Sequence, residues 1–200
     1  MTKVYFHIAV MGDWVKSYEL IQSYLDGANF DNVLYCVCGD MDTALQYIKN
    51  KNIIWLSPTI DNFEFPTLNY ILSDCNPEDK ILYIHTKGAS TGINEPIKDW
   101  IKTMCWFNIT QNKTCLGLLD AYDALGVDYH RVPFKHFSGN FWWSTGSHVN
   151  KLSPLLNEDR HAAERWVASI SGNYASLHNT GIDVHQRHLH LYPESNYSKT

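Results

Sequence analysis

Short apolar runs alternate along the chain with segments in which apolar residues recur every three or four positions. Runs of mostly apolar residues that end at turn residues are typical of buried strands. They predict strands at 4–10, 32–38, 52–56, 80–84 and 137–144. The three-to-four spacing is typical of helices with one buried face. It predicts helices at 14–25, 42–50, 67–73, 98–125 (one or two helices) and 162–169. Alternation at 182–191 predicts an edge strand.

Strands that alternate with helices predict an α/β fold with a mixed, mainly parallel sheet flanked by helices. The 200 residues contain no internal repeat and no linker, so we expect a single domain. In such sheets, ligands bind beyond the carboxyl ends of the strands. The loops at 11–12, 39–40, 85–88 and 138–140 are therefore the places to look for function.

Composition narrows the class of protein. The hydrophobic fraction is 44% and the charged fraction 18%, which excludes a disordered chain. The net charge is −5 and the basic residues are not clustered, so no nucleic-acid partner is indicated. No signal peptide and no apolar run long enough to span a membrane is evident, which favours a cytoplasmic protein. The five cysteines form no CxxC pair, and we expect reduced, buried thiols.

Two common nucleotide-binding signatures are missing. The chain has no GxGxxG and no GxxxxGK[ST]. These patterns mark dinucleotide-binding folds and phosphate-binding loops, respectively. Dehydrogenase and nucleotide hydrolase functions therefore lose their usual sequence support.

The segment YIHTKGAS, residues 83–90, places polar chemistry where a predicted strand ends. Lys87 can neutralise a phosphate, and Gly88 lets backbone amides approach it. His85 can bind a metal or donate a hydrogen bond to an oxygen. The alternative is a surface turn with a solvated lysine. The position at the end of a strand favours the functional interpretation.

The segment HFSGNFWW, residues 136–143, combines turn residues with three consecutive aromatics. Rings with a few polar groups, here His136, Ser138 and Asn140, suit a sugar or nucleoside site. The alternative is that the aromatics belong to the core. Alternation along a strand would send Trp142 and Trp143 to opposite faces of the sheet.

Two further groups of polar residues are candidates. Glu158, Asp159 and Glu164 lie near a predicted helix, where a carboxylate could act as a general base or hold a sugar hydroxyl. A charged helix face, with Glu164 paired to a neighbouring arginine, is the alternative. The histidines near the C-terminus have spacings that could suit zinc, but no HExxH motif or cysteine ligand accompanies them. They are His178, His185, His188 and His190.

The run from ILYIHTKG through HFSGNFWWS to AERWV, about residues 80–167, resembles a group of small GT-A-type glycosyltransferases. These enzymes occur in bacterial polysaccharide clusters and in large DNA viruses of algae. The resemblance implies a GT-A-like, Rossmann-related fold with a nucleotide-binding half at about 1–90 and a sugar and acceptor half at about 91–200. It implies a UDP-sugar donor, a glycan acceptor such as a viral capsid or surface polysaccharide, and a divalent metal, most often Mn²⁺. The protein would then work in the cytoplasm, of a host cell if it is viral, as a monomer or as one module of a longer chain.

The resemblance also assigns roles to residues. The end of the first strand would hold the nucleobase and ribose through His7, Ala9 and Met11, and Asp40 would bind the base or ribose. The usual Asp-x-Asp metal motif is replaced by His85-Thr86-Lys87, with Gly88 after it. His85, helped by Asp79 and a C-terminal histidine such as His185, would then bind the metal, and Lys87 would supply part of its charge.

The remaining implied roles concern the sugar. Ser138, Gly139 and Asn140 would line the donor sugar, and Trp142 or Trp143 would form a stacking wall. Glu164 would contact the sugar or acceptor near the reacting carbon, so that Glu164 and Asn140 are the candidate catalytic residues. A non-catalytic carbohydrate-binding module and a metal-dependent hydrolase remain the alternatives.

Overall fold

A seven-stranded mixed sheet forms the centre of the molecule in a computed structural model, which describes residues 1–49, 51–156, 159–183 and 185–198. Its strand order is β3-β2-β1-β4-β8-β5-β9. The strands are β1 (Thr2–Ala9), β2 (Val33–Cys38), β3 (Asn52–Ser57), β4 (Lys80–His85), β5 (Ala124–Val127), β8 (Trp142–Thr145) and β9 (Tyr174–His178). Only β8 runs antiparallel to its neighbours. A separate two-stranded ribbon pairs β6 (Tyr129–His130) with β7 (His136–Phe137). The predicted mixed, mainly parallel α/β fold is confirmed.

Helices cover both faces of this sheet. They are α1 (Trp14–Ala28), α2 (Met41–Leu45), α3 (Phe65–Asp74), α4 (Glu95–Cys105), α5 (Asn112–Leu118), α6 (Gly146–Val149) and α7 (Ala162–Arg165). A π-helical turn (Trp106–Thr110) joins α4 to α5, and 3-10 turns follow at Trp166–Ala168 and Glu194–Asn196. None of the helices in the described part of the chain is both long and apolar enough to cross a membrane.

The central strands are buried on both sides, and successive side chains therefore enter two different cores. In β1, Val4, Phe6 and Ile8 belong to the core that includes α1 and α4. Tyr5, between them, belongs to the core that includes α3. Trp143 and Trp142 divide in the same way, and neither has any exposed surface. The predicted split of the two tryptophans is confirmed.

Three expectations about local structure are wrong. The helix expected to extend to residue 125 ends at Leu118, because the short strand β5 begins at Ala124. The strand expected at 137–144 is broken by a turn between β7 and β8, where two consecutive residues adopt positive φ. The edge strand next to β5 is β9, whereas the residues described within 182–191, where an edge strand was expected, form turns and bends. The five cysteines are free and buried, as expected.

Candidate functional site

A cavity of about 880 Å³ opens beyond the carboxyl ends of β1 and β4. These strands are neighbours in the sheet, while β2 and β3 continue on the other side of β1. The strand order therefore reverses between β1 and β4, and α/β sheets bind ligands at such points. Thr86 holds the two strand ends together, because its Oγ1 accepts a hydrogen bond from the amide of Ala9 at 3.1 Å.

The cavity contains most of the residues predicted from strand ends, but not all of the predicted site. Eight predicted residues line it: His7, Ala9, Met11, His85, Lys87, Gly88, Asn140 and Glu164. Six others do not: Asp40, Asp79, Ser138, Gly139, Trp142 and His185. Further lining comes from Ile60, Asp61, Phe63, Glu64, Trp100, Arg160, His161 and His188. The loops after β1 and β4 thus line one cavity.

Glu64 is the best-connected polar side chain of this cavity, and the sequence did not reveal it. It directly precedes α3, which packs against β1 and β3 and shares a core with Tyr83 of β4. Its Oε2 accepts hydrogen bonds from the Tyr83 hydroxyl, at 2.8 Å, and from the side-chain amide of Asn140. Its Oε1 lies 3.5 Å from Nδ1 of His85. Three segments of the chain, namely the start of α3, β4 and the turn before β8, therefore meet at one carboxylate.

The hydrogen bonds of His85 determine its tautomer. Its Nε2 lies 2.9 Å from the carbonyl oxygen of Gly139, and a carbonyl can only accept, so Nε2 carries the proton. Burial lowers the pKa of His85 despite the opposing effect of Glu64, which favours the neutral ring. The lone pair of Nδ1 consequently faces a carboxylate oxygen of Glu64. That arrangement is stabilised when a cation lies near both atoms.

The other ionisable groups of the cavity respond to the same burial. Burial lowers the pKa of His7 to about 4, and this ring is hydrogen-bonded to Thr67 Oγ1 at 2.7 Å. For Glu64, burial favours the protonated form, but His85, His7, the Tyr83 hydroxyl and Lys87 together hold its pKa below the usual value. The cavity therefore presents a carboxylate among neutral imidazoles.

Lys87 provides a positive charge inside this cavity. Its Nζ lies 4.3 Å from the centre of the Trp100 ring, a cation–π contact. Burial lowers its pKa, against the attraction of Glu164 and Glu64. Gly88 follows with φ of 80°, and a Cβ there would lie 2.7 Å from Ile97. Only glycine suits this close, left-handed turn.

The Gly139–Asn140 turn supports the cavity from behind. A Cβ on Gly139 would lie 2.3 Å from the sulfur of Met104, so this residue is packed against α4. Asn140 is 1% exposed, and its Oδ1 accepts a hydrogen bond from the Trp142 indole at 3.1 Å. Ser138 is also buried, at 2% exposure. Neither Ser138 nor Gly139 lines the cavity, and Ser138 is enclosed by protein, so their expected contact with a donor sugar stays a prediction.

Trp142 and Trp143 are also not a stacking wall. Trp142 stacks on Tyr83 with ring centroids 5.0 Å apart, and the Trp143 indole donates to the carbonyl of Asn108 at 2.8 Å. Both are fully buried, so no ligand reaches either ring. The aromatic walls of the cavity are instead Trp100 and the partly exposed Phe63.

Asp40 lies outside the cavity and caps α2. Its side chain accepts a hydrogen bond from the amide of Thr43 at 2.7 Å, which satisfies one free N–H of the first helical turn. A ligand role for Asp40 stays a prediction, while its structural role is visible.

The metal set predicted from His85, Asp79 and His185 is not assembled. Asp79 precedes β4, whereas His85 ends it, so the strand separates them by about 20 Å. Asp79 instead pairs with Lys3 at 3.3 Å and with the N-terminal amine at 3.4 Å. His185 is exposed and lies outside the cavity, and the histidine of this segment that lines it is His188. Across the described ranges, no group of three or more His, Cys, Asp or Glu could hold a metal ion.

Glu164 lies on α7 with its side chain 36% exposed, so a ligand can reach it. Its Oε2 is 3.6 Å from Nδ1 of His161. Arg165, the arginine that follows it, forms an ion pair with Asp159 at 2.8 Å. Glu158 falls outside the described residues.

A family model described as a Domain of unknown function (DUF8361) matches residues 25–165. The chain belongs to this family. The DUF8361 region includes Glu64, the segment at 85–88, Asn140 and Glu164, and hence most of the cavity. No curated protein matches the sequence significantly.

Crystal structures of mycobacterial proteins share the fold. Rv0371c from Mycobacterium tuberculosis H37Rv in complex with manganese has 10% identity and a TM-score of 0.51, over 94% of this chain and 98% of that one. A second structure of Rv0371c from the same strain has 10% identity and a TM-score of 0.52, over 89% of each chain. A homolog from Mycobacterium sp. strain JC1 has 10% identity and a TM-score of 0.51, over 88% of this chain and 85% of that one. At this identity the likeness concerns the fold alone.

Proposed function

We propose that the protein transfers a sugar from a UDP-linked donor to a glycan acceptor. The observation that carries this proposal is the meeting of Lys87, Gly88, Glu64 and Glu164 in one cavity beyond β1 and β4. A volume of about 880 Å³ is sufficient for a nucleotide sugar. The resemblance of residues 80–167 to GT-A-type glycosyltransferases supports the same activity.

The two sides of the cavity suit the two parts of such a donor. Lys87 offers a positive charge, and the left-handed turn at Gly88 brings backbone close to the ligand, which suits a diphosphate. Ala9 and Met11 line the end of β1 and leave room for a flat base. The point where the strand order reverses is also where α/β folds bind nucleotides.

A divalent cation fits this cavity through two protein ligands. Glu64 Oε1 and His85 Nδ1 face each other at 3.5 Å, and the second nitrogen of His85 donates to a backbone carbonyl, as in metal-binding histidines. Tyr83 and Asn140 fix the carboxylate of Glu64 from the other side. Phosphate oxygens of the donor would complete the coordination, as they do at sites with few protein ligands. Such an ion, for which we propose Mn²⁺, would stabilise negative charge on the departing diphosphate; one of the similar crystal structures is a manganese complex.

Glu164 is the residue that we assign to the acceptor hydroxyl. Its carboxylate is partly exposed within the cavity, whereas Glu64 Oε2 is engaged by two donors. A carboxylate that removes the proton of an attacking hydroxyl must be within hydrogen-bond reach of it, which requires such access. Asn140 contributes indirectly, by holding Glu64 in place.

Isothermal titration of UDP, GDP and CMP, with and without Mn²⁺, tests the proposal. We expect selective UDP binding that is tighter with Mn²⁺, and loss of the Mn²⁺ effect in Glu64→Gln. The Lys87→Ala variant should lose about 1.5–3 kcal/mol of binding free energy, because it removes a charge-assisted contact. Lys98→Ala is the matched control, since Lys98 lies on α4, is 45% exposed and does not line the cavity.

The same titrations separate the alternatives. Binding of free glycans without any nucleotide affinity would contradict a transferase and support a carbohydrate-binding module. Tightly bound zinc without nucleotide preference would support a metal-dependent hydrolase. Equal losses in Lys87→Ala and Lys98→Ala would refute the assignment of Lys87.

A further inference from the structure

Phe63 stands at the rim of the cavity in an unfavourable backbone conformation. Its φ is 50°, in the left-handed region. Four non-glycine residues in the described part of the chain have positive φ, and the other three are Asn29, Asp128 and Asn140. Asparagine and aspartate tolerate this region because their short polar side chains bond locally, whereas a bulky aromatic does not. A phenylalanine at this position is therefore an outlier.

The side chain of Phe63 is also incompletely buried. Its exposed fraction is 44%, and the exposed ring lines the cavity. The covered part meets Phe65 edge-on, with ring centroids 5.9 Å apart. Phe65 itself is 5% exposed and belongs to the core beneath. The ring of Phe63 is thus supported from the core and open toward the cavity.

Backbone strain and an exposed ring at one residue suggest a ligand contact, since such local costs persist mainly at functional sites. The polar side chains that line the cavity along with this ring include Asp61, Glu64, Glu164 and His161. Carboxylates beside an aromatic ring suit a sugar, whose C–H face packs on the ring while its hydroxyls donate to the oxygens.

We propose that Phe63 is the platform on which a pyranose ring of the acceptor glycan stacks, an inference that rests on the proposed glycosyl transfer. The donor-binding features, Lys87 and Gly88, follow β4, and the expected base position follows β1. Phe63 instead lies in the connection from β3 to α3, next to the carboxylate of Glu64. An acceptor sugar on Phe63 would share the cavity with Glu164, the carboxylate assigned to its hydroxyl.

Three substitutions separate a ligand contact from a structural role. Phe63→Asn relieves the backbone, because asparagine is favoured at positive φ, and removes the ring. Phe63→Tyr keeps the ring and is the matched control. Phe63→Trp places a fluorescent ring at the rim. Each variant is examined by thermal unfolding, by titration with UDP, and by saturation-transfer NMR with methyl glycosides of common hexoses, deoxyhexoses and pentoses in the presence of UDP.

For Phe63→Asn we expect an unchanged or raised unfolding midpoint, unchanged UDP affinity, and methyl glycoside binding weakened by about tenfold. Phe63→Tyr should bind like the wild type, and the fluorescence of Phe63→Trp should respond to the glycoside. The proposal is overturned if Phe63→Asn weakens UDP binding, if it lowers the unfolding midpoint without affecting glycosides, or if no glycoside binds to the wild type. A wild-type protein that binds glycosides through Phe63 but ignores UDP would refute glycosyl transfer alone.

Discussion

Replacing Gly139 with alanine measures how tightly the turn before β8 is packed. Alanine at φ of 82° costs about 1–2 kcal/mol in backbone conformation. The added Cβ would also lie 2.3 Å from Met104 Sδ and 3.0 Å from the Trp100 indole nitrogen. Overpacking of this kind costs about 1–3 kcal/mol, and Met104 is fully buried, so its side chain has little room to shift. We expect a total destabilisation of about 2–5 kcal/mol.

Two other glycines separate the contributions. A Cβ on Gly181, at φ of 75°, would meet nothing within 4 Å, so Gly181→Ala should cost only the conformational part, about 1–2 kcal/mol. Gly27, inside α1, has neither positive φ nor a contact within 4 Å, and Gly27→Ala should stabilise the protein by about 0.5–1 kcal/mol. Urea denaturation of the wild type and the three variants gives these free energies. If Gly139→Ala costs no more than Gly181→Ala, the packing argument is wrong.

Two further changes test buried charges. Burial favours the neutral form of Asp79. Three donors, namely the backbone amide of Asn76, the Lys3 side chain and the N-terminal amine, nevertheless hold the pKa of Asp79 below its usual value. The carboxylate therefore stabilises the fold above about pH 4 and loses this effect as the pH falls through its folded pKa. Asp79→Asn should cost about 1–3 kcal/mol at neutral pH, with a difference from wild type that narrows in acid denaturation series; a constant difference would contradict the mechanism. Tyr83→Phe removes a 2.8 Å hydrogen bond to Glu64 and should cost about 1.5–3 kcal/mol in urea unfolding, while Tyr47→Phe, at a half-exposed ring, should cost little.

The part of the sheet formed by β1, β2, β3 and β4 could be predicted from the sequence, because parallel strands buried on both faces appear as continuous apolar runs. β1, β2, β3 and β4 all lie within two residues of their predicted bounds. The strands β5 and β9 at the other end of the sheet could not be predicted, since they are short and contain small or polar residues. Their pairing comes from the neighbouring strands β8 and β5, which lie far away in sequence. Such tertiary context overrides a local pattern.

The candidate site divides in the same way. His85 was predictable because it ends a strand, and the structure pairs it in register with His7, which lies two residues before the end of β1. The buried position of Trp142 could not be predicted, because a run of aromatics is equally compatible with the wall of a ligand site and with the hydrophobic core. The one usable signal for Phe63 was its position, an aromatic in a polar turn just before a predicted helix.

Glu64 best illustrates why a site can escape sequence analysis. It is a single acidic residue before a helix, a position in which carboxylates are common for reasons of helix stability alone. Its importance arises only when α3 packs on the sheet and places Oε1 opposite His85 and Oε2 between Tyr83 and Asn140. The Gly139–Asn140 turn then has two functions at once: its carbonyl sets the tautomer of His85, and its side-chain amide fixes Glu64. The turn therefore does not need to contact the ligand to be required for binding it.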